Sequence, residues 1–158
     1  MREILQPVWQ FEYSVECQAP ADFAWKYWTN IANWSDPPAE FEINGPFAPG
    51  SQVTTRIPGQ EPLHSTIRDV VPGRAATIEM QLPGAILRFR WRFDDSSTSE
   101  RARLTQRLTL EGEQATPLIE HVSIFERTVP DGMNKIAAAI SKAHVDETNR
   151  LSNPNVAG

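Results

Sequence analysis

The side chains able to move protons or hold a metal are scattered along this 158-residue chain. His64, His121 and His144 are its histidines, and no two stand at an HxH, HxxxH or HExxH spacing. Such spacings put two imidazoles on one strand or helix face, which is what a metal site built on a single element needs. No metal and no cofactor is therefore expected. A general base from among His64, Asp69, Glu120 and His121 would act on a substrate proton only if the fold brought it to a site. Serine, histidine and aspartate all occur, but there is no GxSxG nucleophile elbow. Cys17, the single cysteine, excludes an internal disulfide and a cysteine cluster; with no evident activating neighbour it reads as an inert core thiol. No catalytic residue can be assigned from these types and spacings.

The stretch Arg88-Phe-Arg-Trp-Arg-Phe93 interleaves cations with aromatic rings, one composition by which single-stranded nucleic acid is gripped. That grip needs both kinds of side chain on one surface. In a strand, alternation sends Phe89, Trp91 and Phe93 to one face and the arginines to the other. The net charge of −5 also argues against a general nucleic-acid binder, so no specific nucleic-acid partner is expected.

These residues must be positioned by elements that the pattern makes visible. Val8 to Cys17 alternates, with Trp9, Phe11, Tyr13, Val15 and Cys17 on one parity, and predicts a strand. Next, Ala19 to Trp28 predicts a helix, with Pro20 and Asp22 in its first turn and Ala24 and Trp28 four apart on one face. A short second helix is expected at Ile31 to Trp34, stopped by Asp36-Pro37-Pro38. Gly-Pro, Pro-Gly and Asp-Ser clusters then punctuate six strand candidates near 40–44, 51–57, 63–71, 75–82, 85–93 and 101–110. Short turns between successive strands imply an antiparallel meander.

Beyond Gly112 the period changes. Leu118, Val122, Phe125, Val129, Met133, Ile136 and Ile140 step by three or four, an apolar stripe along a helix. Pro130 predicts an interruption, with Thr128 capping a fresh start, so two collinear pieces or one kinked helix should run to about His144. Leu151 to Gly158 reads as a frayed tail on a single domain spanning 1–150.

Strand parity assigns faces. Pairing around Leu82-Pro-Gly-Ala85 sets Glu79 opposite Arg88 and Ile78 opposite Phe89. A turn near Ser97 would set Arg92 opposite Arg103, Trp91 opposite Leu104, Phe89 opposite Gln106 and Arg88 opposite Arg107. A two-residue slip would change these partners but not the faces. One face is then Ala76, Ile78, Met80, Leu82, Leu87, Phe89, Trp91, Phe93, Leu104, Leu108 and Leu110, with Gln106 its single polar member. A buried amide must find partners, and either the protein or a ligand can supply them. The other face carries Arg88, Arg90, Arg92, Arg101, Arg103 and Arg107. Like charges across strands destabilise a pair, so anions are expected there: Glu79, other acids, a partner subunit or a phosphate-bearing ligand.

The order of strand, two short helices, six strands and a long closing helix resembles the START-like or SRPBCC superfamily, which includes polyketide cyclase/dehydratase-like proteins. The matching stretches are Ser14-Val-Glu-Cys-Gln-Ala-Pro-Ala-Asp-Phe-Ala-Trp25, Trp28-Thr-Asn30, Trp34, Gly45-Pro-Phe-Ala-Pro-Gly50, Asp69-Val-Val-Pro-Gly73 and the closing helix with Gly132-Met133. Departures are Asn30, where many members carry aspartate, and Pro130 within the long helix. The resemblance implies an α+β helix-grip fold, a bent antiparallel sheet of about seven strands wrapped around the C-terminal helix. It also implies an apolar cavity between them.

The expected function is binding of a small hydrophobic ligand, a lipid, polyketide or aromatic metabolite, in that cavity. The ligand-binding residues would be Trp28, Ile78, Met80, Phe89, Trp91, Phe93, Gln106, Leu108, Val122, Phe125, Met133 and Ile136. The alternatives are a polyketide cyclase/dehydratase-like enzyme and an interaction module using the arginine face. No apolar run approaches the ~20 residues that span a bilayer, and Met1 to Ser14 lacks the apolar core of a secretory signal. The expectation is a cytoplasmic protein with no transmembrane segment; the sequon Asn33-Trp34-Ser35 is then a chance match, and a homodimer stays open.

Overall fold

The computed structural model describes residues 6–34, 38–98 and 100–152. Period-two alternation becomes seven strands: β1 (Trp9–Cys17), β2 (Glu40–Asn44), β3 (Gln52–Arg56), β4 (Leu63–Val71), β5 (Ala75–Leu82), β6 (Ala85–Asp95) and β7 (Ala102–Glu111). They form one antiparallel sheet in the order β1-β7-β6-β5-β4-β3-β2. Only β1 leaves chain order, pairing with β7 along its whole length, so β7 and β6 lie inside the sheet between β1 and β5. Helix α1 (Ala21–Trp28) and a 3-10 turn (Ile31–Asn33) follow β1. Asn30 caps that turn by accepting from the Ala32 amide, a local role for the residue that departs from the family pattern.

Turn chemistry sets the first hairpin. Leu82 pairs with Ala85 across Pro83-Gly84, and Gly84 adopts φ 68°, the left-handed value that the second position of a Pro-Gly turn requires. Glu79 therefore faces Arg88 and Ile78 faces Phe89, as parity and turn length predict. The β6–β7 register differs from expectation by two residues. Trp91 faces Gln106, Phe89 faces Leu108, Arg92 faces Thr105 and Arg90 faces Arg107. The strands continue to an Asp95–Ala102 pair, so the connection centres beyond Ser97, and the long polar loop held no residue that pinned its centre. Faces are unchanged, but the expected Arg92–Arg103 and Arg88–Arg107 oppositions are replaced by a single one. In β4 the register shifts between Arg68 and Val71, and Asp69 sits at φ 48° in this bulge.

The C-terminal segment corrects a second expectation. A 3-10 turn (Thr116–Leu118) and the short α2 (Ile119–Val122) precede α3 (Phe125–Ser152), which runs without a break through Pro130. The division falls at Ser123-Ile124, not at Thr128. Pro130 is the sixth residue of α3, so its missing N–H forfeits one backbone bond, to the Glu126 carbonyl, while the amides of Glu126, Arg127 and Thr128 before it are held by the Ser123 and Ile124 carbonyls. The helix also passes His144, because Val145 to Arg150 are largely exposed and leave the apolar stripe without ending helix propensity. The expected tail from Leu151 begins inside α3, and 153–158 lie outside the described residues.

α3 runs closest to β1 and also touches α1. The main core joins Cys17, Ala24, Trp28, Phe93, Leu104 and Leu108 to Val129, Met133, Ala137 and Ile140 of α3. Full burial of a side chain such as Phe93 or Leu104, both 0% exposed, contributes about 1.5–3 kcal/mol each. A second cluster around Leu87, Leu110 and Val122 anchors α2, and a third around Ile31, Val53 and Ile67 holds the 3-10 turn on β3 and β4.

Candidate functional site

Register places one row of side chains after another on the inner face of the sheet. Phe11, Leu108, Phe89 and Ile78 form one row, and Tyr13, Gln106, Trp91 and Ala76 the next. The twelve residues read as a ligand wall separate into two kinds. Trp28, Ile78, Phe93, Leu108, Val122 and Met133 are buried in the core clusters, each at 9% exposure or less. Met80, Phe89, Trp91, Phe125 and Ile136 face the same interior but stay partly exposed. Gln106, the twelfth, is 6% exposed.

Aromatic packing frames this partly exposed group at both ends. Phe89 meets Phe125 edge-on at 5.4 Å, tying β6 to the start of α3. Trp91 lies 5.0 Å from Trp28, whose ring also meets Phe93, Phe47 and Trp34 at 5.2, 5.1 and 5.9 Å. Trp34 donates its indole N–H to the Trp28 carbonyl at 2.7 Å, which fixes the 3-10 turn against α1. The turn residue Phe47 was not among the residues singled out from the sequence. Its Gly-Pro surroundings mark a loop and carry no period to reveal burial.

A short polar row crosses the apolar wall. Gln106 stands between Trp91 on β6 and Tyr13 on β1. Tyr13 and Asn134 are within hydrogen-bond distance, the Tyr13 hydroxyl donating to Asn134 Oδ1 at 3.1 Å and linking β1 to α3. Gln106 makes no side-chain hydrogen bond to a described residue. No fully enclosed side-chain N or O among the described residues lacks a partner, so the Gln106 amide opens onto reachable space. Asn134 escaped sequence reading because it sits one position from Met133, off the apolar stripe.

The four candidate bases are not brought together. His64 bonds Thr54 on the exposed outer face, Asp69 lies in the β4 bulge, and Glu120 and His121 are exposed on α2. Among the described residues no three His, Cys, Asp or Glu are placed to hold a metal ion. Burial raises the Cys17 thiol above its ordinary pKa, against backbone hydrogen bonds with Ala102 and Ala19 that lower it.

A family model described as "Polyketide cyclase / dehydrase and lipid transport" matches residues 8–142, from the first strand well into α3. The chain belongs to this polyketide cyclase/dehydrase family. The START-like, helix-grip architecture is shared with solved structures. Norcoclaurine synthase from Thalictrum flavum, a point mutant in complex with a transition-state analogue, superposes with a TM-score of 0.68 at 14% identity, over 93% of this chain and 99% of that one. A solution structure from Thermobifida fusca gives 0.65 at 16% identity, over 84% and 93%. A di-domain ARO/CYC from the steffimycin biosynthetic pathway gives 0.63 at 18% identity, over 87% of this chain and 51% of that one. No curated protein sequence matches.

Two surface clefts of this polyketide cyclase/dehydrase family protein, of about 430 and 550 Å³, are lined by residues such as Asp22, Arg74 and Asp95 or Lys26, Asp146 and Arg150. Neither includes Phe89, Trp91 or Gln106. No helix among the described residues is long and apolar enough to cross a membrane.

The outer face is largely self-neutralised. Glu79 takes Arg88 at 2.9 Å and Arg68 at 3.8 Å, and Arg88 also pairs with Glu111. Asp94 takes Arg92 at 2.6 Å, and Glu16 takes Arg103 at 3.7 Å. Among the described residues, Arg90 and Arg107 hydrogen-bond only neutral side chains, Thr109 at 3.2 Å and Gln10 at 2.5 Å. Burial, then Arg88 and Arg107, lower the Arg90 pKa.

Proposed function

We propose that the protein binds a small hydrophobic molecule, a lipid, polyketide or aromatic metabolite, between the inner face of the sheet and α3. The observation that carries this reading is the partial exposure of Met80, Phe89 and Trp91 on the inner face of the sheet, and of Phe125 and Ile136 on α3, beside the buried Phe93, Leu104 and Leu108. Large apolar side chains left reachable beside a packed core give an apolar ligand surface to displace water from. The family description, which joins polyketide cyclisation to lipid transport, supports the same class of ligand. The polar row of Tyr13, Gln106 and Asn134 supports a cyclase/dehydratase-like enzyme as the second reading, with these groups orienting a polyketide-like substrate.

Native mass spectrometry of protein purified from its source tests the proposal. A co-purifying hydrophobic molecule lost on substitution of Phe89 and Trp91 by serine is the expected result. Protein that carries no ligand, and whose tryptophan fluorescence responds to no lipid or aromatic compound, overturns it.

A further inference from the structure

The apolar wall by itself does not discriminate a hydrocarbon from an oxygenated molecule; Gln106 does. Gln106 is 6% exposed, lies on β7 between β1 and β6, and its side chain makes no hydrogen bond to a described residue. An amide in that position has no protein partner and opens only narrowly onto reachable space, so a ligand that takes the place of water there must replace the hydrogen bonds that water can make. Its surroundings on either side are known. Trp91 presents an indole ring across β6, and Tyr13 across β1 has its hydroxyl within hydrogen-bond distance of Asn134. Directly opposed residues on one face of a sheet hold their Cβ atoms about 4.5–5.5 Å apart. A ligand that reaches the partly exposed Trp91 is therefore a neighbour of the Gln106 amide.

We infer that Gln106 is a specificity-determining residue, selecting flat aromatic ligands that carry a hydroxyl or carbonyl oxygen over unsubstituted hydrocarbon of the same shape. This rests on the hydrophobic-ligand reading above and adds to it the class of ligand. The amide both donates and accepts, so a phenol or a ring ketone satisfies it, whereas a hydrocarbon leaves it dry and unpaired. A neutral hydrogen bond to a group otherwise left unsatisfied is worth about tenfold in affinity.

The test is a protein-observed NMR titration with 2-naphthol and naphthalene, for wild type and Gln106→Leu, together with thermal unfolding of both proteins without ligand. Wild type should bind 2-naphthol about tenfold more tightly. Gln106→Leu should bring the ratio near one while keeping naphthalene binding, and should not unfold at a lower temperature, because the amide has no protein partner to lose. Gln106→Asn, which keeps the amide but withdraws it by one methylene, should lower the ratio with wild-type folding, and serves if the leucine variant does not fold. Equal binding of both probes by wild type, or a ratio unchanged in both variants, overturns the inference and leaves the apolar site standing. A lower unfolding temperature for Gln106→Leu assigns the amide a structural role and also overturns it. Binding of neither probe to wild type removes the hydrophobic-ligand reading itself, and the inference with it.

Discussion

Arg90 on β6 and Arg107 on β7 stand directly opposite each other on the outer face, and neither forms an ion pair with a described residue. Their neighbours Arg88, Arg92 and Arg103 each hold a carboxylate. Like charges facing across a strand pair cost about 0.2–1 kcal/mol. Arg90→Glu should therefore stabilise the protein by about that amount at low salt, since Arg107 gains an opposite charge and the Thr109 hydroxyl can donate to the new carboxylate. The gain should shrink as salt is raised, because these groups are exposed and screened. Urea unfolding at low and high ionic strength measures both effects; a salt-independent loss of stability would contradict the repulsion.

Phe93 and Phe89 are four residues apart on the same face of β6 but differ in burial, Phe93 at 0% exposure and Phe89 partly exposed beside Phe125. Phe93→Ala should cost about 3–5 kcal/mol, the usual range for an aromatic removed from a packed core. Phe89→Leu keeps most of the apolar volume and should cost less than about 1.5 kcal/mol. Its effect should appear instead in weakened binding of aromatic probes. Chemical denaturation and probe titration of the same two variants separate the roles.

Pro130 sits in the sixth position of an otherwise unbroken α3. Pro130→Ala restores an amide donor to the Glu126 carbonyl and relieves the ring's clash with it, against a more flexible unfolded chain. The expected net is a stabilisation of about 1 kcal/mol. A rise in midpoint without change in denaturant slope would show it; a fall would mean that the ring's packing outweighs the missing bond.

Cys17 is 2% exposed, and burial raises its pKa from the ordinary value of 9.0. The fold thus favours the neutral thiol. That contribution is complete below the unfolded value and is lost as pH rises through the higher folded one. Between about pH 8 and pH 10, wild type should lose more stability than Cys17→Ala, and the thiol should resist alkylation at neutral pH until the protein unfolds. Parallel stability curves for the two proteins over this range would remove the assignment.

Much of the fold was legible because its elements depend on local rules. Alternation in Trp9–Cys17 and Ala85–Asp95, Pro-Gly at the β5–β6 turn and a 3.6-residue stripe from Val122 to Ile140 each follow from backbone geometry. The two misreadings arose where the deciding information was not local. The β6–β7 loop is long and polar, so its centre is set by pairing along the strands, and Gln106 came to face Trp91 instead of Phe89. Pro130 was tolerated because the chain entered its helix earlier, through α2 and Ser123, than the proline implied.

By itself the sequence determined the strand faces, and with them that Phe89, Trp91 and Gln106 share the interior while the arginines do not, because side-chain direction in a strand alternates at every residue. Only the tertiary structure decided which interior residues are packed and which remain reachable. Burial depends on what lies across the space, and α3 approaches β1 while Trp28, itself backed by Trp34 and Phe47, closes over Phe93. It also decided that Glu79, Glu111 and Glu16 answer the arginines, since charges from β5, the end of β7 and β1 meet those of neighbouring strands only when register brings the strands side by side.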